Sequence, residues 1–167
     1  ATLFSLHLMI FLRCSGSDPT HTQTQGVCNN FSMRKPELDY AFLASYAAIR
    51  GGSLTALDAS FTVMAFQRMG SIVHFSLAGR IRADEQAQSV PMRVELFMPG
   101  DPIPVRASID IDLSTEGAAH YDGKLGLLFV LQFDAPVTAE GLCQVRILID
   151  NEEARVLKFD ARLEPHK

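Results

Sequence analysis

The 167-residue chain has no tryptophan, and it has three cysteines. Three cysteines are too few for a disulfide scaffold, and no Cys-x-x-Cys occurs. The Cys/His spacing of a zinc site is also missing. Apart from Arg34-Lys35 there is no basic cluster, and the net charge is −4, which argues against nucleic acid as a partner. No apolar run is long enough to cross a bilayer as a helix, so no membrane span is expected. Gly-x-Ser-x-Gly is absent, and Gly51-Gly52 and Gly123 to Gly126 match neither a phosphate-binding loop nor a dinucleotide fingerprint. Long helical periodicity is missing too, which excludes a parallel βαβ fold. What is present is ordinary for a globular chain: 47% apolar and 20% charged residues, enough to bury a core without disulfides or metals.

The first 32 residues differ from the rest. Leu3 to Leu12 is an apolar run with the length of a signal-peptide core. No positive segment precedes it, Arg13 follows it, and no small-x-small site comes next. Ser15 to Ser32 has the Ser, Thr, Gln, Asn and Gly composition of a linker. Residues 1–32 are therefore expected to be a poorly ordered extension or tail. The folded domain is expected over 33–167, with Met33 as its functional start. The expected location is cytoplasmic, or secreted if Leu3 to Leu12 is a signal core.

From Pro36 onward the pattern is that of strands. Val73, Phe75, Leu77 and Ile81 share a face, as do Met92, Val94, Leu96 and Met98, and again Ile103 to Leu113 at every second residue. Asp39 to Ile49 and Ser53 to Phe66 read as two strands around a Gly51-Gly52 turn. Leu125 to Phe133 carries apolar residues on both faces, with Leu128 and Val130 on the second. That strand is either covered on both sides or meets a partner. At the end, Cys143, Val145, Ile147 and Ile149 form one face, and Leu157, Phe159, Ala161 and Leu163 another. Joining these faces predicts a hairpin with Val145 opposite Phe159 and Cys143 opposite Ala161. The turn would then be odd-numbered, such as Asn151-Glu152-Glu153, with Asn151 at positive φ. Eight such strands predict an all-β fold, an antiparallel β-sandwich of Ig-like or C2-like type.

The text PELDYAFLASYAAIRGGSLTALDASF, with LLFVLQFDAPVTAEGLCQVRILIDNEEARVLKFDARL, resembles a family of uncharacterised small bacterial proteins, a domain of unknown function. The resemblance spans Pro36 to Leu163 and implies a compact β-sandwich, with no activity or catalytic residue to transfer. Glu140-Gly141-Leu142-Cys143 departs from the Pro-Gly-aromatic corner of that family.

Chemistry-bearing residues are sparse. Asp110, Asp112, Glu116, His120 and Asp122 fall within one short stretch, and Asp110 and Asp112 share a strand face. Oxygen-rich loops suit hard cations such as Ca²⁺, so Asp110, Asp112 and Asp122 are the candidate metal ligands. The competing reading is a solvated strand face beside a polar loop. Cys143 lies on a predicted core face and is expected to be buried and inert. No catalytic residue and no cofactor are predicted, and the chain is not expected to be an enzyme. The leading expectation is a non-enzymatic protein-interaction or assembly module that binds a protein partner or itself, with Leu128 and Val130 at the interface. The alternatives are a cation- or small-ligand-binding sandwich near Asp110, Asp112 and Asp122, or a hydrolase whose loops bring His74 or His120 against a carboxylate and a hydroxyl.

Overall fold

A computed structural model describes residues 5–8, 35–113 and 119–164. These form twelve strands and no helix. In chain order they are β1 (Ser5–Leu8), β2 (Glu37–Ala44), β3 (Tyr46–Arg50), β4 (Ser53–Leu57), β5 (Val63–Phe66), β6 (Ile72–Asp84), β7 (Ser89–Phe97), β8 (Val105–Asp112), β9 (Ala119–Tyr121), β10 (Lys124–Pro136), β11 (Gly141–Ile149) and β12 (Glu152–Leu163). The first sheet has the order β1-β10-β6-β2, with β9 also on β10. The second has the order β5-β12-β11-β7-β8, and β3 pairs with β4 as a separate hairpin.

The alternation places the core. Phe75, Leu77, Ile81, Leu131 and Phe133 from the first sheet join Val90, Val94, Leu96, Val145, Ile147 and Phe159 from the second in one buried cluster. Phenylalanines bridge the sheets: Phe75 stacks on Phe133 with centroids 5.1 Å apart and meets Phe159 edge-on at 5.5 Å. Offset and edge-to-face pairs of this kind are favoured by the ring quadrupole.

β6 and β10 pair along their whole length, from Asp84 opposite Lys124 to Ile72 opposite Pro136. Gly79 lies directly opposite Phe129. A Cβ there would stand 2.7 Å from Phe129 Cζ and would also collide with the Tyr40 carbonyl. The absent side chain is what lets the Phe129 ring lie across β6.

Several expectations are corrected. The fold is all-β, but it has twelve strands rather than about eight, and β5 runs parallel to β12. Asp39 to Ile49 is two strands, because Ser45 breaks the run: its amide and hydroxyl both donate to Leu57 O. Ser53 to Phe66 likewise divides into β4 and β5. The closing hairpin has Val145 opposite Leu157 and Cys143 opposite Phe159, two residues from the expected register. Its turn is the two-residue Asp150-Asn151, both at positive φ (50° and 62°). A two-residue loop by itself would turn the apolar faces apart. A bulge between Ile147 and Leu148, where the β12 partner jumps from Arg155 to Glu153, restores the match. Of the N-terminal extension, Ser5–Leu8 forms β1 against Leu131–Asp134 of β10, and the expectation for Met33 lies outside the described residues.

Candidate anion-binding face

The candidate metal ligands do not converge. Asp110 and Asp112 share the outer face of β8 in the second sheet, whereas Asp122 belongs to the β9–β10 turn of the first. Asp122 Oδ2 accepts a hydrogen bond from Arg82 Nη2 at 3.0 Å. Glu116 lies outside the described residues, and His120 pairs with Glu85 at 3.2 Å. Among the described residues no three His, Cys, Asp or Glu side chains gather as a cation site.

Strand β10 is covered on both faces within the chain. Val130 is 2% exposed and packs with Ala44, Ala47 and Ala78 beneath the β3–β4 hairpin, flanked by Phe42, Ile49, Leu54 and Ala56. The Ala47 amide donates to Ser76 Oγ at 3.1 Å and pins that hairpin down. Leu128 is half-buried opposite Arg80. Val130 is therefore covered within the chain, whereas Leu128 keeps part of its surface in solvent.

Neither histidine assembles a hydrolytic site. His74 Nδ1 lies 2.6 Å from Asp134 Oδ1 on the exposed side of the first sheet. Among the described residues no hydroxyl or thiol bonds to His74 or His120. Cys143 is fully buried, and loss of hydration pushes its thiol up to about 11. At neutral pH it is no nucleophile.

Two arginine clusters lie on the outer faces, and they differ in charge balance. On the first sheet, Arg80 sits between the Tyr40 and Tyr121 rings at 5.1 and 5.0 Å, and Arg82 lies 4.7 Å from the Tyr121 centroid. Carboxylates match these cations. Arg80 Nε donates to Asp39 Oδ2 at 2.6 Å, Lys124 Nζ to Glu37 Oε1 at 2.6 Å, and Arg82 to Asp122.

The second sheet is different. Arg106 of β8 and Arg146 of β11 both stand opposite Glu95 of β7, one on each side. Arg106 Nε donates to Glu95 Oε1 at 3.0 Å, and Arg146 Nη1 to Oε2 at 3.4 Å. Arg93, two residues along β7, places Nε 3.7 Å from Oε1. Three guanidinium groups thus share one carboxylate that is itself only 6% exposed. Arg146 Nε also lies 3.0 Å from Glu153 Oε2 as an ion pair without hydrogen-bond alignment. Arg93 Nε is buried without a hydrogen-bond partner. Glu95 fixes the guanidiniums side by side, while their outer edges stay in solvent; the Arg106 side chain is 60% exposed. Asp110 and Asp112 stand further along β8 and bound the positive surplus on that side.

Arg93, Glu95, Arg106 and Arg146 each occupy an outward position that alternation alone assigns. Their convergence depends on two strand registers, β7 with β8 and β7 with β11, which alternation does not supply, so no signal within any one strand pointed to the cluster.

No family profile and no curated protein matches the chain. Among solved structures, it is similar to the Pseudomonas fluorescens alkylpurine DNA glycosylase AlkC bound to DNA containing an abasic site analog. The TM-score is 0.46 and the identity 12%, over 77% of this chain and 30% of that one. Two expectations are corrected against this finding: the non-enzymatic interaction module as the function, and the exclusion of nucleic acid as a partner. The similar solved chain is an enzyme, and it is bound to DNA. At this identity and score no residue role, activity or ligand passes from that protein to this one. Among the described residues no helix is long and apolar enough to cross a membrane.

Proposed function

We propose that the outer face of the second sheet binds an anionic polymer, through phosphate- or sulfate-type groups held by Arg93, Arg106 and Arg146. The observation that carries this reading is the sharing of one buried carboxylate by three guanidiniums. A planar guanidinium presents paired N–H groups that match phosphate geometry. Glu95 holds three of them in place before a ligand arrives, which lowers the ordering cost of binding. The reading concerns binding and assigns no reaction.

Fluorescence anisotropy with labelled heparin and labelled oligothymidylate, at about 50 mM salt where such contacts are strongest, tests it. Saturable binding of both is expected. Arg106→Ala, the substitution at the most exposed of the three, should weaken each by about fivefold, the effect of losing one exposed charge contact. Arg50→Ala and Arg68→Ala, away from this face, should change neither. Absence of binding, or equal losses in all three variants, overturns the proposal.

A further inference from the structure

We infer that the polymer is single-stranded nucleic acid, with a base stacked on the platform formed by Phe97 and Arg146. This rests on the anion-binding reading for its phosphate contacts and adds an independent observation. Arg146 Cζ lies 5.1 Å from the Phe97 ring centroid, and both side chains stand on the outer face of the second sheet. Phe97 ends β7 two residues after Glu95, and its cross-strand partner is Gln144. Lys158 stands opposite Gln144 on the other side. Leu142, two residues before Gln144 and on the same face, is 51% exposed.

Together these rows form a surface with an arginine row on one side, an aromatic ring under a guanidinium in the middle, and an amide, an ammonium and an apolar side chain beyond, where Asp160 stands opposite Leu142 and pairs with Arg162. Each part matches a part of a single-stranded nucleotide. A base has a π face that stacks on aromatic rings and guanidinium planes, and edges that bond to an amide. The phosphates take the arginines and Lys158. A sulfated polysaccharide matches the charges and has no π face. A duplex keeps its base faces stacked inside.

The test compares oligothymidylate of roughly 12 nucleotides, within the usual span for such surfaces, with the same oligonucleotide annealed to its complement and with heparin. The single strand should bind most tightly. Phe97→Leu should weaken it by about tenfold, a loss typical of one stacked base, and leave heparin unchanged. Arg146→Lys, which keeps the charge and removes the plane, should weaken the single strand more than heparin, since heparin loses only the paired N–H contact and the strand loses the stacking surface as well, and Phe97→Tyr should restore single-strand binding. Phe97 ring-proton resonances should move upfield when the oligonucleotide is added. If heparin, duplex and single strand bind alike and Phe97→Leu alters none of them, this inference fails while the anion-binding reading stands. If nothing binds, both fail.

Discussion

Cys143 points from β11 into the space between the sheets, where loss of hydration disfavours the thiolate and raises the thiol from 9.0 to about 11. The sign of the linkage follows from that direction. The native state holds the proton more tightly than the unfolded chain. The resulting stabilisation is fully present below pH 9 and is lost as pH rises from there through 11. Relative to Cys143→Ala, the protein should therefore lose roughly 2–3 kcal/mol across that window, the equivalent of a two-unit shift. Urea melts of the two proteins at several alkaline pH values measure this, and a constant difference between them contradicts it. In a background without Cys14 and Cys28, the native thiol should also stay unmodified by a disulfide reagent at pH 8. The sequence already placed Cys143 on an apolar face, because alternation along one strand is local information. Glu95 shows the opposite case. Nothing in its own strand says that a carboxylate at an outward position will be almost fully buried. Arg106 and Arg146 bury it from either side, and they arrive from β8 and β11.

At the level of elements, the inward faces of β6, β7, β10 and β11 were legible in the sequence, since a period of two fixes each strand by itself. Strand ends and partners were less so. The closing hairpin shows why. Matching the apolar faces calls for an odd-numbered turn, but a bulge changes parity without leaving a mark in the apolar pattern, so the two-residue Asp150-Asn151 turn does not show in it. The double-sided pattern of β10 was visible as well. What covers its second face is the β3–β4 hairpin, which reaches that face only because Ser45 ends β2 and turns the chain over the sheet. Gly79 of β6 has no room for a side chain between Tyr40 of β2 and Phe129 of β10. Gly79→Ala should cost about 1–3 kcal/mol, as overpacking of a filled core does, because the new methyl meets backbone on one side and the Phe129 ring on the other. Chemical denaturation reads this directly. A variant as stable as the parent would mean that the Phe129 ring is free to move aside.

Across the whole molecule, the larger apolar cluster draws on both five-stranded sheets, while a smaller one lies between the first sheet and the β3–β4 hairpin. Phe159 is central to the larger one, in contact with Phe61 at 5.4 Å and Phe75 at 5.5 Å. Phe159→Ala should remove about 3–5 kcal/mol. The loss should appear equally in amide-exchange protection of β6 in one sheet and β11 in the other. Loss confined to the second sheet would show that the sheets unfold separately. The charge distribution is also a property of the whole. The net charge of −4 repels a polyanion at long range, while the Arg93, Arg106 and Arg146 surplus attracts it within a Debye length of about 8–10 Å. Binding on that face is thus short-ranged and sensitive to salt.

The pairing of β6 with β10 has a kinetic consequence. These strands form the middle of the first sheet, yet all of β7, β8 and β9 lies between them in the chain. Their ladder begins only after that long intervening loop has closed, and with no helix among the described residues there is little local structure to offset its entropy. Folding of such a topology is slow compared with a helical bundle of equal size. In the interval β10 has nothing over either of its apolar faces. The same strand that is doubly covered in the finished protein is thus the segment most open to mispairing with another chain before the ladder closes.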